Sequence, residues 1–328
     1  MRLLRPHSFI AEIGDGKLQV GSAPPRTVIF SDLSAEETAW ILSLKPDAPR
    51  RARRATPPSQ DSPPTADPTS GRGLSKRQEE ILLMLGAADL LDDGANPLRF
   101  LRVRIVGLDE VGARLARLLA AEGVAELELR DRRRITGEET RVFQERDLGR
   151  PRQTVLAQEL RSRHPGLRVG KLCFPDVVVV CATGSWDHGA LGRLLSKDLP
   201  HLPILQRDRE VLVGPLIAPG KTGCAVCADL TIGDGFPVWA QTSLALAGAT
   251  QPPTPDYLCC TAAGLAVSLL VCATSGTTPV GARTPATTGG VSHSFTVGPT
   301  GVTTQEWFPH RRCACQMEAL SILPADAA

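Results

Sequence analysis

The chain has 328 residues, 42% of them hydrophobic, and a formal net charge of +2 from 37 basic and 35 acidic side chains. That is enough apolar content for a sizeable core and about two domains, and too little net charge for a global pull toward nucleic acid or an anionic membrane. Nine cysteines, and an N-terminus where Glu12 and Asp15 follow Arg2 and Arg5 with no apolar run of signal-peptide length, point to reduced thiols, metal ligation and the cytoplasm rather than to secretion and disulfides.

Three short β-like runs open the chain, at 9–12, 17–20 and 27–30, with Gly14-Asp15-Gly16 supplying the positive-φ residues of a hairpin turn. They predict a three-stranded sheet. Ser34 followed by Glu37 is a capping box, and Trp40, Ile41 and Leu44 form an apolar stripe, so a helix follows. From 46 to 73 the residues are Pro, Ser, Thr, Asp and Arg with no large apolar side chain, a composition that cannot repay the entropy of ordering and reads as a disordered linker. Its Arg50-Arg51-Ala52-Arg53-Arg54 run reads as a solvated charge cluster rather than a phosphate-binding arm. A second capping box, Ser75 with Gln78, starts a helix carrying Ile81, Leu82, Leu85 and Leu90, and Asp92-Asp93-Gly94 stops it. Sheet plus two helical segments is the parts list of a winged-helix-like domain, spanning 1–45 and 74–96 around the 46–73 insertion.

Strand and helix then alternate. A strand at 102–106 leads through Gly107-Leu108-Asp109-Glu110-Val111-Gly112 into a helix with Val111, Leu115, Leu118 and Leu119 on one face, and a strand at 127–130 ends at Asp131. A helix at 152–161, a strand at 177–181, a helix at 187–195 and a strand at 204–206 follow. This order predicts an α/β fold with a doubly wound, mostly parallel, Rossmann-like sheet and ligands at the carboxyl ends of its strands. The most apolar window, 262–272, is about half the roughly 20 residues that span a bilayer, so it reads as a core helix and no membrane span is expected.

Cys224-Ala225-Val226-Cys227 and Cys313-Ala314-Cys315 supply four thiolates. Four sulfurs close a tetrahedron and leave no open position, so the reading is one structural zinc ion that clamps the C-terminal segment onto the domain; the bland alternative is unrelated buried or redox cysteines. Cys173, Cys181, Cys259, Cys260 and Cys272 lie in apolar patterns and read as small buried hydrophobes, with a reactive thiol at Cys259-Cys260 as the lesser reading.

Strand, Gly-rich turn, helix, strand ending in Asp131, Arg141, Asp147-Leu148-Gly149 and paired cysteines together resemble the ubiquitin-activating-enzyme-like (ThiF-type) family over roughly 100–316. The resemblance places a domain at 97–316, with a flexible tail at 317–328. It also implies a nucleotide loop at Gly107 to Gly112, a ribose-binding acid at Asp131, a phosphate-binding arginine at Arg141 and, in place of the family lysine, Arg152. Its active members use ATP and magnesium to adenylate a protein or peptide C-terminus. Here Asp109 and Glu110 replace the inner loop glycines, and no acid follows the strand at Cys181-Ala182-Thr183-Gly184, with Asp187 too far along to substitute. Two carboxylates beside a triphosphate oppose binding by roughly a kcal/mol or more each. The winged-helix-like N-terminus, the altered nucleotide loop and Trp307-Phe308-Pro309-His310 ahead of the last cysteines are similar to the non-adenylating partner proteins of azoline-forming cyclodehydratases. That subgroup implies binding of a precursor's leader peptide, as a strand along Thr27, Val28, Ile29 and Phe30 with Leu82 and Leu85 lining the groove, presentation to a catalytic partner protein, and a possible homodimer. The rivals are an active adenylating enzyme and a DNA-binding winged helix. Lys76 and Arg77 share their helix with Glu79, Glu80, Asp89, Asp92 and Asp93, a poor face for phosphates.

Overall fold

The computed structural model of the chain describes residues 3–4, 8–13, 17–24, 26–45, 74–88, 90–92, 96–137, 141–249, 252–275 and 292–316. The expected hairpin turn at 14–16, the linker at 46–73 with its arginine run, the helix stop at 93–94 and the tail at 317–328 lie outside the described residues. The chain divides into two units, Met1–Ala95 and Asn96–Ala328.

In the first unit, β1 (Leu3–Leu4) precedes β2 (Ile10–Glu12), β3 (Leu18–Ala23) and β4 (Arg26–Phe30), which form an antiparallel sheet in the order β2-β3-β4. Helix α1 (Ala35–Ser43) starts at Ser34, whose side chain accepts from the Glu37 amide while the Glu37 carboxylate accepts from the Ser34 amide. Helix α2 (Lys76–Ala87) begins with the same reciprocal pair at Ser75 and Gln78. Each box satisfies two amides that a helix start leaves orphaned. Strand β5 (Leu91–Asp92) pairs with β1. Leu4, Leu18, Val20, Phe30, Ile41, Leu44, Ile81, Leu85 and Leu90 make the core; Leu90 packs from beyond the end of α2 rather than from within it.

The second unit is a single eight-stranded sheet in the order β13-β12-β11-β10-β9-β6-β7-β8. Its elements run β6 (Arg102–Val106), α3 (Glu110–Ala121), β7 (Glu126–Arg130), α4 (Arg152–Arg163), β8 (Arg168–Val169), β9 (Val177–Thr183), α5 (His188–Leu195), β10 (His201–Arg207), β11 (Glu210–Val213), α6 (Ala225–Gly235), α7 (Trp239–Gly248), α8 (Asp256–Ser275), β12 (Ser292–Gly298) and β13 (Gly301–Trp307). The five strands from β10 to β8 are parallel, as the alternation predicts, and β11, β12 and β13 add antiparallel at one edge.

The double winding is visible in β9. Val177, Val179 and Cys181 enter one core and Val178 and Val180 the other, because successive strand side chains point to opposite faces. On the first face α3 packs against α8 through Val111, Leu115 and Leu119 and the stripe Leu258, Ala262, Ala263, Ala266, Leu269 and Leu270. Leu118, expected on the buried face of α3, is 36% exposed at the edge of the helix. The apolar window at 262–272 is a fraction of the 20-residue helix α8, which begins just after Pro255. By length and composition α8 is long and apolar enough to cross a membrane, correcting the estimate from the shorter window, and its buried stripe belongs to the core.

Leu115→Ala is expected to cost about 2–5 kcal/mol, the transfer term plus the cavity it leaves, and Leu118→Ala a small fraction of that. Urea unfolding followed by tryptophan fluorescence distinguishes the two.

Candidate nucleotide pocket and cysteine cluster

The loop joining β6 to α3 is shaped by close approach. Gly107 has φ +87°, and a Cβ there would lie 2.5 Å from the Cys181 carbonyl oxygen; a Cβ on Gly112 would lie 2.1 Å from the Gly107 carbonyl oxygen. These are the glycine roles of a dinucleotide-type loop, a tight turn and close helix–strand packing.

The helix N-terminus, where such a loop would meet phosphates, is already occupied by a carboxylate. Asp109 is the N-cap of α3, and its Oδ1 accepts from the amides of Val111 at 3.1 Å and Gly112 at 2.9 Å. The Leu108 amide donates to Asp131 Oδ2 at 2.8 Å. Burial pushes the Asp109 carboxyl up while the Gly112 amide pulls it down. Glu110 is 8% exposed, and burial pushes its carboxyl up against the pull of Arg114 and, more weakly, Arg141. Arg141 is exposed near this carboxylate, its only described link to the loop.

Asp131, at the end of β7, accepts from the Arg133 amide at 2.9 Å, the Arg133 guanidinium at 2.8 Å and Arg152 Nη1 at 3.3 Å. Its side chain is 3% exposed and that of Arg152 is 7% exposed. Burial opposes ionisation of Asp131, but the bonds from Arg133 and Leu108 outweigh it and hold the carboxyl below its ordinary 3.8. Asp187 is the N-cap of α5, accepting from Ala190 at 2.8 Å.

Cys224, the N-cap of α6, and Cys227, one turn on, meet Cys313 and Cys315 after β13, with all four sulfurs within 4.8 Å of one another. The separations are 3.8 Å for Cys224–Cys227, 3.5 Å for Cys224–Cys313 and 3.4 Å for Cys227–Cys315. Four thiolates around an ion at about 2.3 Å would sit about 3.8 Å apart, so the cluster could hold a metal ion. The Cys227 sulfur accepts from the His310 amide at 3.3 Å; its neighbours Cys224 and Cys315, then this amide, pull its thiol down, while the bond with Cys227 pushes Cys224 up to about 12. Asp234 at the end of α6 binds the His310 ring at 2.9 Å and the Arg312 guanidinium, fixing the same segment without metal.

Of the other cysteines, Cys181 and Cys259 are buried, but Cys173 and Cys260 are exposed, contrary to the expectation of uniform burial. Cys173 lies in the loop before β9, and Cys260 on the outer face of α8. Burial and Glu110 push the Cys259 thiol up to about 12, which removes it as a nucleophile.

In the first unit β4 is an edge strand. Phe30 and Leu85, expected to line a groove beside it, are 3% and 0% exposed and belong to the core. Thr27, Val28 and Leu82 are half-buried, and Ile29 is 53% exposed.

Residues 83–175 match the model of the ThiF family. The match covers less than a third of the chain and lies over the segment from α2 to the loop before β9. No curated protein matches its sequence. Among solved structures, E. coli MccB aligns at TM-score 0.60 and 17% identity over 96% of this chain and 97% of that one. E. coli MccB with ATP aligns at 0.59 and 16% over 96% and 100%, and PaaA at 0.57 and 13% over 91% and 97%. These likenesses establish the fold alone.

Because Asp131 is held low, its ion pair stabilises fully above pH 3.8, and that contribution is lost as pH falls through the lower folded value. Asp131→Asn should therefore cost roughly 3–5 kcal/mol at pH 7, by removing the buried carboxylate of the ion pair with Arg152. In urea titrations across pH, the deficit should shrink below about pH 3.8.

Proposed function

We propose that this chain is a non-adenylating ThiF-type scaffold that binds a ribosomal precursor peptide through its leader and presents it to a catalytic partner protein. The observation that carries the reading is the state of the loop amides. Those of Leu108, Val111 and Gly112 donate to the chain's own carboxylates, so a triphosphate arriving there would have to displace Asp109 and face Glu110. The absence of an acid at Thr183-Gly184 removes the expected magnesium ligand as well. On this reading Gly107, Gly112, Asp131, Arg141 and Arg152 are retained as architecture.

The first unit is the peptide reader, a winged-helix-like module whose β4 edge offers unpaired backbone groups to an added strand, with Ile29, Val28, Thr27 and Leu82 available beside it. The partly buried cysteine cluster takes zinc, which holds Cys313 and Cys315 against α6 and supplies no open coordination position for chemistry. The protein works in the cytoplasm, as a homodimer or with its catalytic partner. E. coli MccB has been solved with ATP and MccB with N-formylated MccA, which supports peptide handling and keeps an adenylating enzyme as the second reading.

Isothermal titration of the purified, zinc-loaded protein with ATP and magnesium separates the two. The expected outcome is no binding heat for the native chain and measurable binding by the Asp109→Gly/Glu110→Gly variant, glycine being the best tolerated replacement at a helix N-cap outside the Ser, Thr, Asn and Asp set. Micromolar binding by the native chain would make adenylation the better reading. For the metal, elemental analysis should find about one zinc per chain, absent from Cys313→Ser/Cys315→Ser, with a lower thermal midpoint in that variant.

A further inference from the structure

A second cavity opens at the same end of the sheet. It holds about 630 Å³ and lies between the segment leaving β9 and helices α5, α6 and α7, a size within the usual range for ligand sites, about 300–1,000 Å³. β9 is the neighbour of β6 in the parallel sheet, so the cavity lies at a carboxyl strand end, where doubly wound folds bind ligands.

Trp186, Trp239, Val226, Leu230, Pro237 and Leu244 give the cavity its apolar lining. Its polar groups have partners in the protein. Asp229 takes the His188 ring at 2.8 Å on one oxygen and the Trp239 indole N–H at 3.0 Å on the other. The Ser185 and Ser243 hydroxyls pair at 2.9 Å, Arg312 binds Asp234, and Asp187 caps α5. The charged lining residues Asp187, Asp229 and Arg312 each have a partner in the protein, so an uncharged ligand would leave these contacts in place. Trp239 is also pinned from outside, with the Arg207 guanidinium 5.3 Å from its ring, so little side-chain entropy remains to be lost on binding.

The rim settles what kind of molecule fits. Leu244 is 78% exposed and Val226 44%, and Phe236 and Val238, between α6 and α7, are each 48% exposed. These side chains carry the apolar lining of Pro237 and Trp239 along the connection between α6 and α7, which suits a chain that continues past the pocket. We propose that the α6–α7 cavity receives a bulky, uncharged side chain of the precursor peptide's modified segment, with the flanking peptide lying over Leu244 and Phe236. The identity of the peptide rests on the scaffold reading above; the preference of the pocket does not.

The test uses the full chain labelled with 5-fluorotryptophan, whose four tryptophans are assigned in 19F spectra by single Trp→Phe variants. The probes are two blocked tetrapeptides, acetyl-Ala-Ala-Phe-Ala-amide and its Asp counterpart. The expected result is saturable movement of the Trp186 and Trp239 resonances by the Phe peptide, at least tenfold tighter than by the Asp peptide, with Trp40 and Trp307 unmoved. Leu244→Lys, at an exposed position that should leave folding intact, is expected to weaken binding at least tenfold. Equal response of all four resonances, equal affinity for the two peptides, or movement that follows protein concentration alone would overturn the assignment, the last pointing to a second copy on this surface. Binding of ATP by the native chain would sink the scaffold reading without altering these spectra, so the two failures are told apart.

Discussion

One carboxylate organises the nucleotide-loop region. Asp131 sits at the end of β7 and accepts from the loop after β6 through Leu108, from its own following turn through Arg133, and from the first residue of α4 through Arg152. Bonds to two oxygens therefore tie the turn after β7 to two segments distant from it in sequence, the loop after β6 and the start of α4. Buried as it is, such an anion is tolerable only when fully partnered, and the partners it has recruited are a loop amide and basic side chains. The position implied for ribose recognition serves as an internal fastener, and Asp109, in the loop after β6, makes a similar arrangement at the start of α3.

Much of this was legible because it is local. The capping boxes at Ser34 and Ser75 are four-residue patterns and form as read. The glycines at 107 and 112 announce a close strand–helix approach, and two short cysteine pairs bring four sulfurs together. Less legible features depended on distant neighbours. Helices α6 and α7 start with no side-chain cap bond, so they carry no sequence signal of the kind that marks α1 and α2. The β12–β13 hairpin is built largely from Ser, Thr, Val and Gly, and β13 is exposed along 301–306, leaving no apolar alternation to find. Phe30 and Leu85 have the composition of groove residues and of core residues alike; only packing assigns them to the core. At Asp109 the charge was readable but its use was not. Repulsion of a phosphate was anticipated, whereas the carboxylate turns inward and satisfies the helix itself.

The cysteine cluster bears on the antiparallel edge of the sheet. Cys313 and Cys315 follow directly from β13, the outermost strand, which is exposed over six of its seven residues and has little packing of its own. His310 and Arg312 reach Asp234, and the His310 amide reaches Cys227. Contacts of this kind to an exposed carboxylate contribute little. A tetrahedral ion bound by the four sulfurs would contribute far more, and would close a loop running from α6 through α7, α8 and the hairpin. Its effect would be to keep the edge strand and the wall of the α6–α7 cavity, where Arg312 lies, in one piece.

Two positions at the carboxyl end of the sheet thus have opposite characters, and the magnitudes decide which is open to a ligand. For an anion to dock at α3, Asp109 would have to give up charge-assisted bonds to two amides, roughly 1.5–3 kcal/mol apiece, and then remain close to the incoming charge. At 4 Å and an effective dielectric near 20 that repulsion is about 4 kcal/mol. At the α6–α7 cavity nothing has to be broken: the polar atoms are already paired, and covering exposed Leu244 and Val226 gains roughly 25 cal/mol for every Å² removed from water. On the scaffold reading, a fold whose sheet topology directs ligands to this end would admit apolar surface at one strand and resist anions at its neighbour. That combination suits the recognition of a polypeptide better than the recognition of a nucleotide.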